Sequence, residues 1–501
     1  MATTDTTDTT GGQRLAAELI PEQVLPKVLG TLGLTATYVF IICWISGASI
    51  MASGGWGSVP MWVLGFLVFL LPAGLAVAEL GNLWPAQGGV YIWAHRTMSE
   101  GAAFFGGFLS WIPVILNGAS SPAVILAFVM LALHVELGLT VSIVLQLVIL
   151  WASVALALRR LAATQRVMYG VFFAYMLVAA AVLVVGITHA AGSGPATPVD
   201  LGVLTTPNFA RDGWIFGLVL LYLVGVETPF NMGAEFLSVK RSATRMILWG
   251  SIALAGIYVA ATVGALLAMP VDQINPVTGV TAALGAAGVP GLMEVGSLLV
   301  AVILMIAMTT YQSAYSRLIF VSGLERHLPR LFTHLNPRTR NPVTAILIQG
   351  AISSTMIVVL FSQANLTNVV LYLTGALSVV WLLSGFFFFI PLVLARHKYA
   401  DRYASETFWR IPGGLPVVYL VALVGCAGTA AGIYYSFALP WSEDISRGEW
   451  MSWVGGLTGA VVLAAVAVYY FGRRSAAKVS TEDALAHLAV LEPLDGSLET
   501  P

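Results

Sequence analysis

The chain has 501 residues, of which 58% are hydrophobic and only 9% charged, with a formal net charge of -1 and a mean hydropathy of +0.88. A soluble domain carries about 25% charged residues, so this composition excludes an ordinary soluble globule and describes a polytopic membrane protein. A charge near zero argues against a nucleic-acid partner, and the two cysteines, Cys43 and Cys426, lie in different apolar stretches with neither disulfide-framework nor zinc spacing.

Residues 1–28 are polar and Thr-rich and read as a mobile tail without a cleavable signal peptide. After them, apolar windows of about 20 residues, the length that spans a bilayer, predict twelve transmembrane helices. They lie at 29–56, 60–83, 101–133, 139–158, 167–190, 213–238, 246–269, 291–323, 342–361, 366–395, 413–438 and 450–472. With twelve spans both termini share one side. Of the 23 Lys and Arg residues, all but Arg211 and Arg447 then fall on that side, which marks it as the cytoplasm and the membrane as the plasma (inner) membrane.

The first span is interrupted by Ser46, Gly47, Ala48 and Ser49, small residues of weak helical preference. A helix restarting near Ser49 turns free N–H groups, at Ala48 and Ser49, toward an anion such as a carboxylate. Close helix packing uses the same residues, and both readings stand at this stage.

The sixth span holds LYLVGVETPFNMGAE, residues 221–235. Pro229 lacks an N–H and its ring clashes with the carbonyl of Gly225, so a continuous helix is expected to break here. Thr228 followed by Pro229 has the form of a cap and first-turn proline, with Asn231 in the first turn of a second half-helix. Free carbonyls are expected near Leu223 and Gly225. Unwound backbone inside a bilayer is tolerated only against protein or a polar cavity. Broken helices at spans one and six describe two five-helix halves, 29–212 and 213–400, an inverted repeat with its site near the midplane. Two extra helices, 401–472, and a polar tail, 473–501, follow.

The stretch AELGNLWPAQGGVYIWAHRTMSEGAAFFGGFLSW carries Glu79, Leu80, Pro85, Gly88, Gly89, Tyr91, Gly107, Phe108 and Trp111. This run resembles the signature of the amino acid-polyamine-organocation superfamily of amino acid permeases. The segment GVETPFNMGAE is similar to the sixth-span motif of proton-linked exchangers such as the glutamate/GABA and arginine/agmatine antiporters. Ser316, Arg317, Glu325, Leu328, Pro329, Phe332 and Pro342 match a third family segment at the inner end of the eighth span. Two departures stand out: Gly47, Ala48 and Ser49 where the family has Gly-Ser-Gly, and Arg326 and His327 where it has Gly after the acidic residue. The resemblance implies an all-α, LeuT-like 5+5 inverted repeat with broken first and sixth helices, and a small amino acid or amine as substrate. No cofactor is implied.

An amino acid zwitterion needs donors for its carboxylate and acceptors for its ammonium. The expected substrate contacts are Gly47, Ala48 and Ser49, Leu223 and Gly225, and the side chains of Asn117, Ser120, Glu227, Asn231 and Tyr311. A charged carboxylate at mid-bilayer costs at least about 2.5–3.5 kcal/mol, so Glu227 is the expected proton-coupling residue. Glu235 reads as structural, paired with Lys240 and Arg241. Sodium coupling, through Thr309, Thr310 and Ser313, stays open beside proton coupling or exchange. A permease-like nutrient sensor also stays open. An enzyme is disfavoured, because the chain has no HExxH, GxSxG, phosphate loop or CxxC. His95, His327, His334 and His397 fall at the inner side, where solvation is the default. The last two spans are expected to pack outside the core for support or homodimerisation, and the C-terminal tail as a short surface helix or an inner plug.

Overall fold

The structure is a computed structural model and describes residues 15–159, 161–206, 208–362, 366–442 and 444–476. Among these residues it is helical throughout apart from one isolated bridge between Leu29 and Phe236. After a short helix α1 (Ala16–Val24), the first apolar segment is split into α2 (Thr31–Ile42) and α3 (Ile45–Ser53), which meet at a 40° bend. Then come α4 (Gly55–Leu83), the short α5 (Gly89–Thr97), α6 (Glu100–Leu133), α7 (Leu139–Ala157) and α8 (Leu161–Ser193). The second half opens with α9 (Phe209–Leu221), runs through non-helical turns and a 3-10 segment (Thr228–Glu235), and continues into α10 (Val239–Ala268). It proceeds with α11 (Leu292–Leu324), α12 (Val343–Phe361), α13 (Leu366–Lys398), α14 (Gly414–Ala438) and α15 (Arg447–Ala476).

Ten of the described helices are long and apolar enough to cross a membrane, or eleven with the bent α2/α3 pair. The sixth predicted span is not among them, because its break divides it into a 13-residue helix and an 8-residue 3-10 segment.

Packing places the first break. Helices α8 and α10 cross at Gly186 and Gly264, where a Cβ on Gly186 would come within 2.4 Å of the Gly264 carbonyl oxygen. Small residues let two backbones approach this closely inside a membrane. The crossing helices bring Tyr175 and Tyr258 to Cys43 and Trp44, whose φ and ψ are extended. Tyr258 Oη donates to the Ile42 carbonyl (2.9 Å) and accepts from Trp44 N–H (3.0 Å), while Tyr175 Oη donates to the Cys43 carbonyl (2.8 Å). Buried backbone groups demand partners, and here two distant phenols supply them. The break therefore falls at Cys43 and Trp44, not at the small residues Gly47 to Ser49, which lie inside α3.

The tail expected over 1–28 is packed in its described part. Val24 and Leu25 join Ala234, Phe320, Leu324 and Leu335 in a separate apolar cluster. Glu18 forms an ion pair with Arg96 of α5, and Glu325 Oε1 accepts from Ala17 N–H (2.8 Å). Val28 and Leu29 donate backbone N–H bonds to the Glu235 carbonyl (2.9 Å each). Tyr91 and Trp93 of α5, residues suited by type to an interface, are instead buried within the protein. The C-terminal tail from 477 onward lies outside the described residues.

Two further buried ion pairs tie the same end of the bundle. Glu79 of α4 accepts from Arg396 (2.6 and 2.7 Å), Tyr403 Oη (2.8 Å) and Ile411 N–H (2.7 Å). Glu235 pairs with Arg317 of α11 (2.9–3.3 Å), which also donates to Asn341 Oδ1 (3.2 Å) and the Ser313 carbonyl (3.0 Å). This pair gives Glu235 a structural role; the side chains of Lys240 and Arg241, its expected partners, lie outside the described residues. A buried guanidinium within an apolar helix needs a carboxylate beside it.

Candidate functional site

The two breaks face each other. Gly47 of α3 lies against the Tyr222 ring, and a Cβ there would sit 2.8 Å from the ring carbons. Beside this contact is a cavity of about 50 Å³, bordered by Ile42, Trp44 and Ser46 at the first break and by Leu221 and Tyr222 at the second. Asn117, Ser120, Ser121 and Val124 of α6 and Thr374, Leu377 and Trp381 of α13 complete its wall. Asn117 Oδ1 accepts from Ser121 Oγ (2.9 Å), so its amide is held in one orientation at the wall.

The second break is a tight turn. Gly225 has φ +111°, a conformation open to glycine, and its carbonyl accepts from Thr228 N–H (3.0 Å). The free carbonyl expected at Gly225 is therefore used within the turn. Leu223 is buried next to Gly65 and does not border the cavity. Thr228 does not cap the following segment: its Oγ1 lies 2.7 Å from Tyr315 Oη, and that segment is 3-10 with a kink at Met232.

Glu227 is fully buried behind the cavity. Its Oε1 accepts from Trp381 Nε1 (3.1 Å) and, at the limit of hydrogen bonding, from Ser110 Oγ (3.5 Å), whereas Oε2 has no partner. Among the described residues no cation pairs with it. Trp381, Tyr311 and Tyr315 form an aromatic group around it, with Tyr311 4.6 Å from Tyr315 and 5.6 Å from Trp381 between ring centroids. A carboxyl with one satisfied and one unsatisfied oxygen can gain a proton on Oε2 without losing a bond.

The remaining expected residues are dispersed. Ala48 is buried in the first turn of α3, and Ser49 Oγ accepts from Val280 N–H (3.0 Å), away from the cavity. Asn231 is buried against Gly89, its amide atoms unpartnered. Thr309 and Thr310 donate to Met305 and Ile306 carbonyls of their own helix (2.9 Å each). Sequence reasoning missed Trp381, Tyr222, Tyr175 and Tyr258. Trp381 and Tyr222 are ordinary aromatics in apolar runs, while a phenol deep in an apolar helix, as at Tyr175 and Tyr258, does signal a need for a partner.

Apolar helices, two opposed breaks and a small, partly polar cavity between them define a membrane transporter of the LeuT-like, broken-helix fold. The fold is shared with the solved manganese transporter of Eremococcus coleocola, at TM-score 0.54 and 13% identity over 93% of this chain and 100% of that one. Residues 28–461 match the amino acid permease family model, and the chain belongs to that family. An uncharacterized transporter of Legionella pneumophila is 22% identical over 83% of this chain and 90% of its own length. A probable agmatine/putrescine antiporter of Lactococcus lactis is 23% identical over 44% of this chain and 47% of its own.

Proposed function

We propose that the protein is a proton-coupled secondary transporter or exchanger that moves an amino acid or related amine across the plasma membrane by alternating access. The observation that carries this reading is Glu227: a buried carboxyl with no paired cation among the described residues, on an unwound segment, hydrogen-bonded to the wall of the cavity between the two breaks. Its proton is the charge that the transport cycle moves, since ionising it unpaired in a dry core is costly. The substrate's carboxylate and ammonium would meet Ser46 in the first turn of α3, Asn117, Ser120 and the chain at Leu221 and Tyr222. A cationic amine is within this class, as the name of the Lactococcus relative suggests.

Sodium coupling is less well supported. The carbonyls of Ile42 and Cys43 already accept phenol hydroxyls, and Thr309, Thr310 and Ser313 do not border the cavity between the breaks. A sodium ion needs several such oxygens together. The face bearing α1, Arg96, Arg396 and Arg402 is assigned to the cytoplasm by its basic residues.

Reconstitution into liposomes tests this. Uptake of labelled alanine, glutamate, arginine and agmatine is measured with an inward proton gradient, in sodium-containing and sodium-free buffer. Acid-driven, sodium-independent uptake of at least one substrate is expected. Uptake that requires sodium and ignores the proton gradient contradicts the reading.

A further inference from the structure

We infer that Trp381 is the movable wall of the cavity and the positioning residue through which protonation of Glu227 sets the cavity's size. This rests on the proton-coupling role proposed for Glu227. A cavity of about 50 Å³ holds only a few waters, each needing about 10–15 Å³ of such space, so an amino acid enters only if a wall moves. Of the other two large aromatics on that wall, Trp44 is tied by Nε1 to the Ile41 carbonyl (3.3 Å) and Tyr222 is packed on Gly47. Trp381 is the large side chain on it whose single polar atom, Nε1, is tied to Glu227.

The surroundings suit a swinging indole. A Cβ on Gly225 would lie 2.6 Å from Trp381 Cζ2, so the glycine leaves the space that the ring occupies. Tyr311 meets it edge-on, at 86° between planes, without interlocking stacking. The tether is also switchable. An ionised carboxylate holds an N–H donor about twice as strongly as a neutral acid. A proton taken up on Oε2 leaves the Oε1 bond formed but weakens it, and the indole is released. Loss of the proton to water on either side of the membrane draws the ring back. No other bond is made or broken. Among the described residues, the other titratable groups in the field of Glu227 are the phenols Tyr38 of α2 and Tyr311 and Tyr315 of α11, which carry no charge to compete with it.

The test uses the full chain in lipid nanodiscs, labelled with 5-fluorotryptophan and observed by ¹⁹F NMR, with the Trp381 resonance assigned from W381F or W381Y. The expected result is a Trp381 resonance that moves between neutral and acid pH in the wild type and is fixed in E227Q. A resonance that stays still in the wild type, or moves equally in E227Q, overturns the inference. In liposomes W381F, which keeps a ring but loses the N–H, should reduce the acid-to-neutral uptake ratio roughly fivefold, the worth of a charge-assisted bond over a neutral one. A raised KM with an unchanged pH profile would instead mean that the indole only packs on substrate. If E227Q itself leaves the uptake profile intact, the proposed function fails. If E227Q flattens that profile while the Trp381 signal stays still, only the role of Trp381 fails.

Discussion

The hydroxyl of Tyr258 closes the gap left in the backbone at Ile42, donating to its carbonyl at 2.9 Å while accepting from Trp44 N–H at 3.0 Å. One side chain thus serves both cut ends of a broken helix. The Y258F variant leaves a buried carbonyl and a buried N–H unpaired, at a cost of about 1–3 kcal/mol each. Its thermal unfolding midpoint in detergent should fall clearly below that of wild type, and Y175F, which loses one bond, should fall less. Equal midpoints for Y258F and wild type would show that the phenol does not hold the break.

Arg317 and Glu235 are both almost fully buried. Removing one partner leaves an uncompensated charge, so R317Q or E235Q should destabilise by about 3–5 kcal/mol, whereas replacing both by apolar residues of similar volume should recover much of the loss. A double-mutant cycle read by thermal unfolding checks this. Additive losses would show that the two side chains act independently.

Docking of α1 should depend on pH through Glu325. Burial, reinforced by the nearby Glu18 and Glu100 carboxylates, pushes the Glu325 carboxyl above the usual carboxylate range, against the opposing Ala17 N–H bond. A raised value means that the packed state binds the proton more tightly, so the stabilisation is full at acid pH and is lost as pH rises through the raised value. Hydrogen exchange over residues 16–24 should therefore speed up from acid to neutral pH once the intrinsic exchange rate is corrected for. E325Q should remove that dependence and slow exchange at neutral pH. Unchanged exchange in E325Q would sever Glu325 from the docking of α1.

The Glu18 and Arg96 pair makes a separate prediction for the same helix. E18R and R96E, each alone, should expose residues 16–24 to protease in the reconstituted protein, and the two together should restore protection. Equal protection in all three would show that the apolar cluster around Val24 and Leu25 suffices.

Much of the architecture was legible because its causes are local. Long apolar runs set the spans, and Pro229 beside Gly225 marks the sixth break, since a missing N–H and a positive φ are written into those two residues. The first break was displaced by three residues, from Gly47 to Trp44, because its cause is not local: Tyr175 and Tyr258 lie more than a hundred positions away in the chain. Arg317 stood out in the sequence only as part of a family segment, and packing alone pairs it with Glu235. Helix α1 was hidden because threonines dominate the first fourteen residues, although Ala17, Ile20 and Val24 repeat at helical spacing. Asn117 and Ser120 reached the cavity because short polar residues on a core helix face neighbouring helices, and Trp381 had no such mark among the many aromatics of its helix.

The most direct test of the whole account is the pH dependence of substrate uptake by E227Q in liposomes, beside wild type. Glutamine keeps the size of the side chain and can still accept from Trp381 Nε1, so folding and binding should survive while the proton is no longer gained and lost. Uptake that no longer varies between acid and neutral pH is the predicted result. Uptake in E227Q that rises and falls with pH as in the wild type would contradict the account.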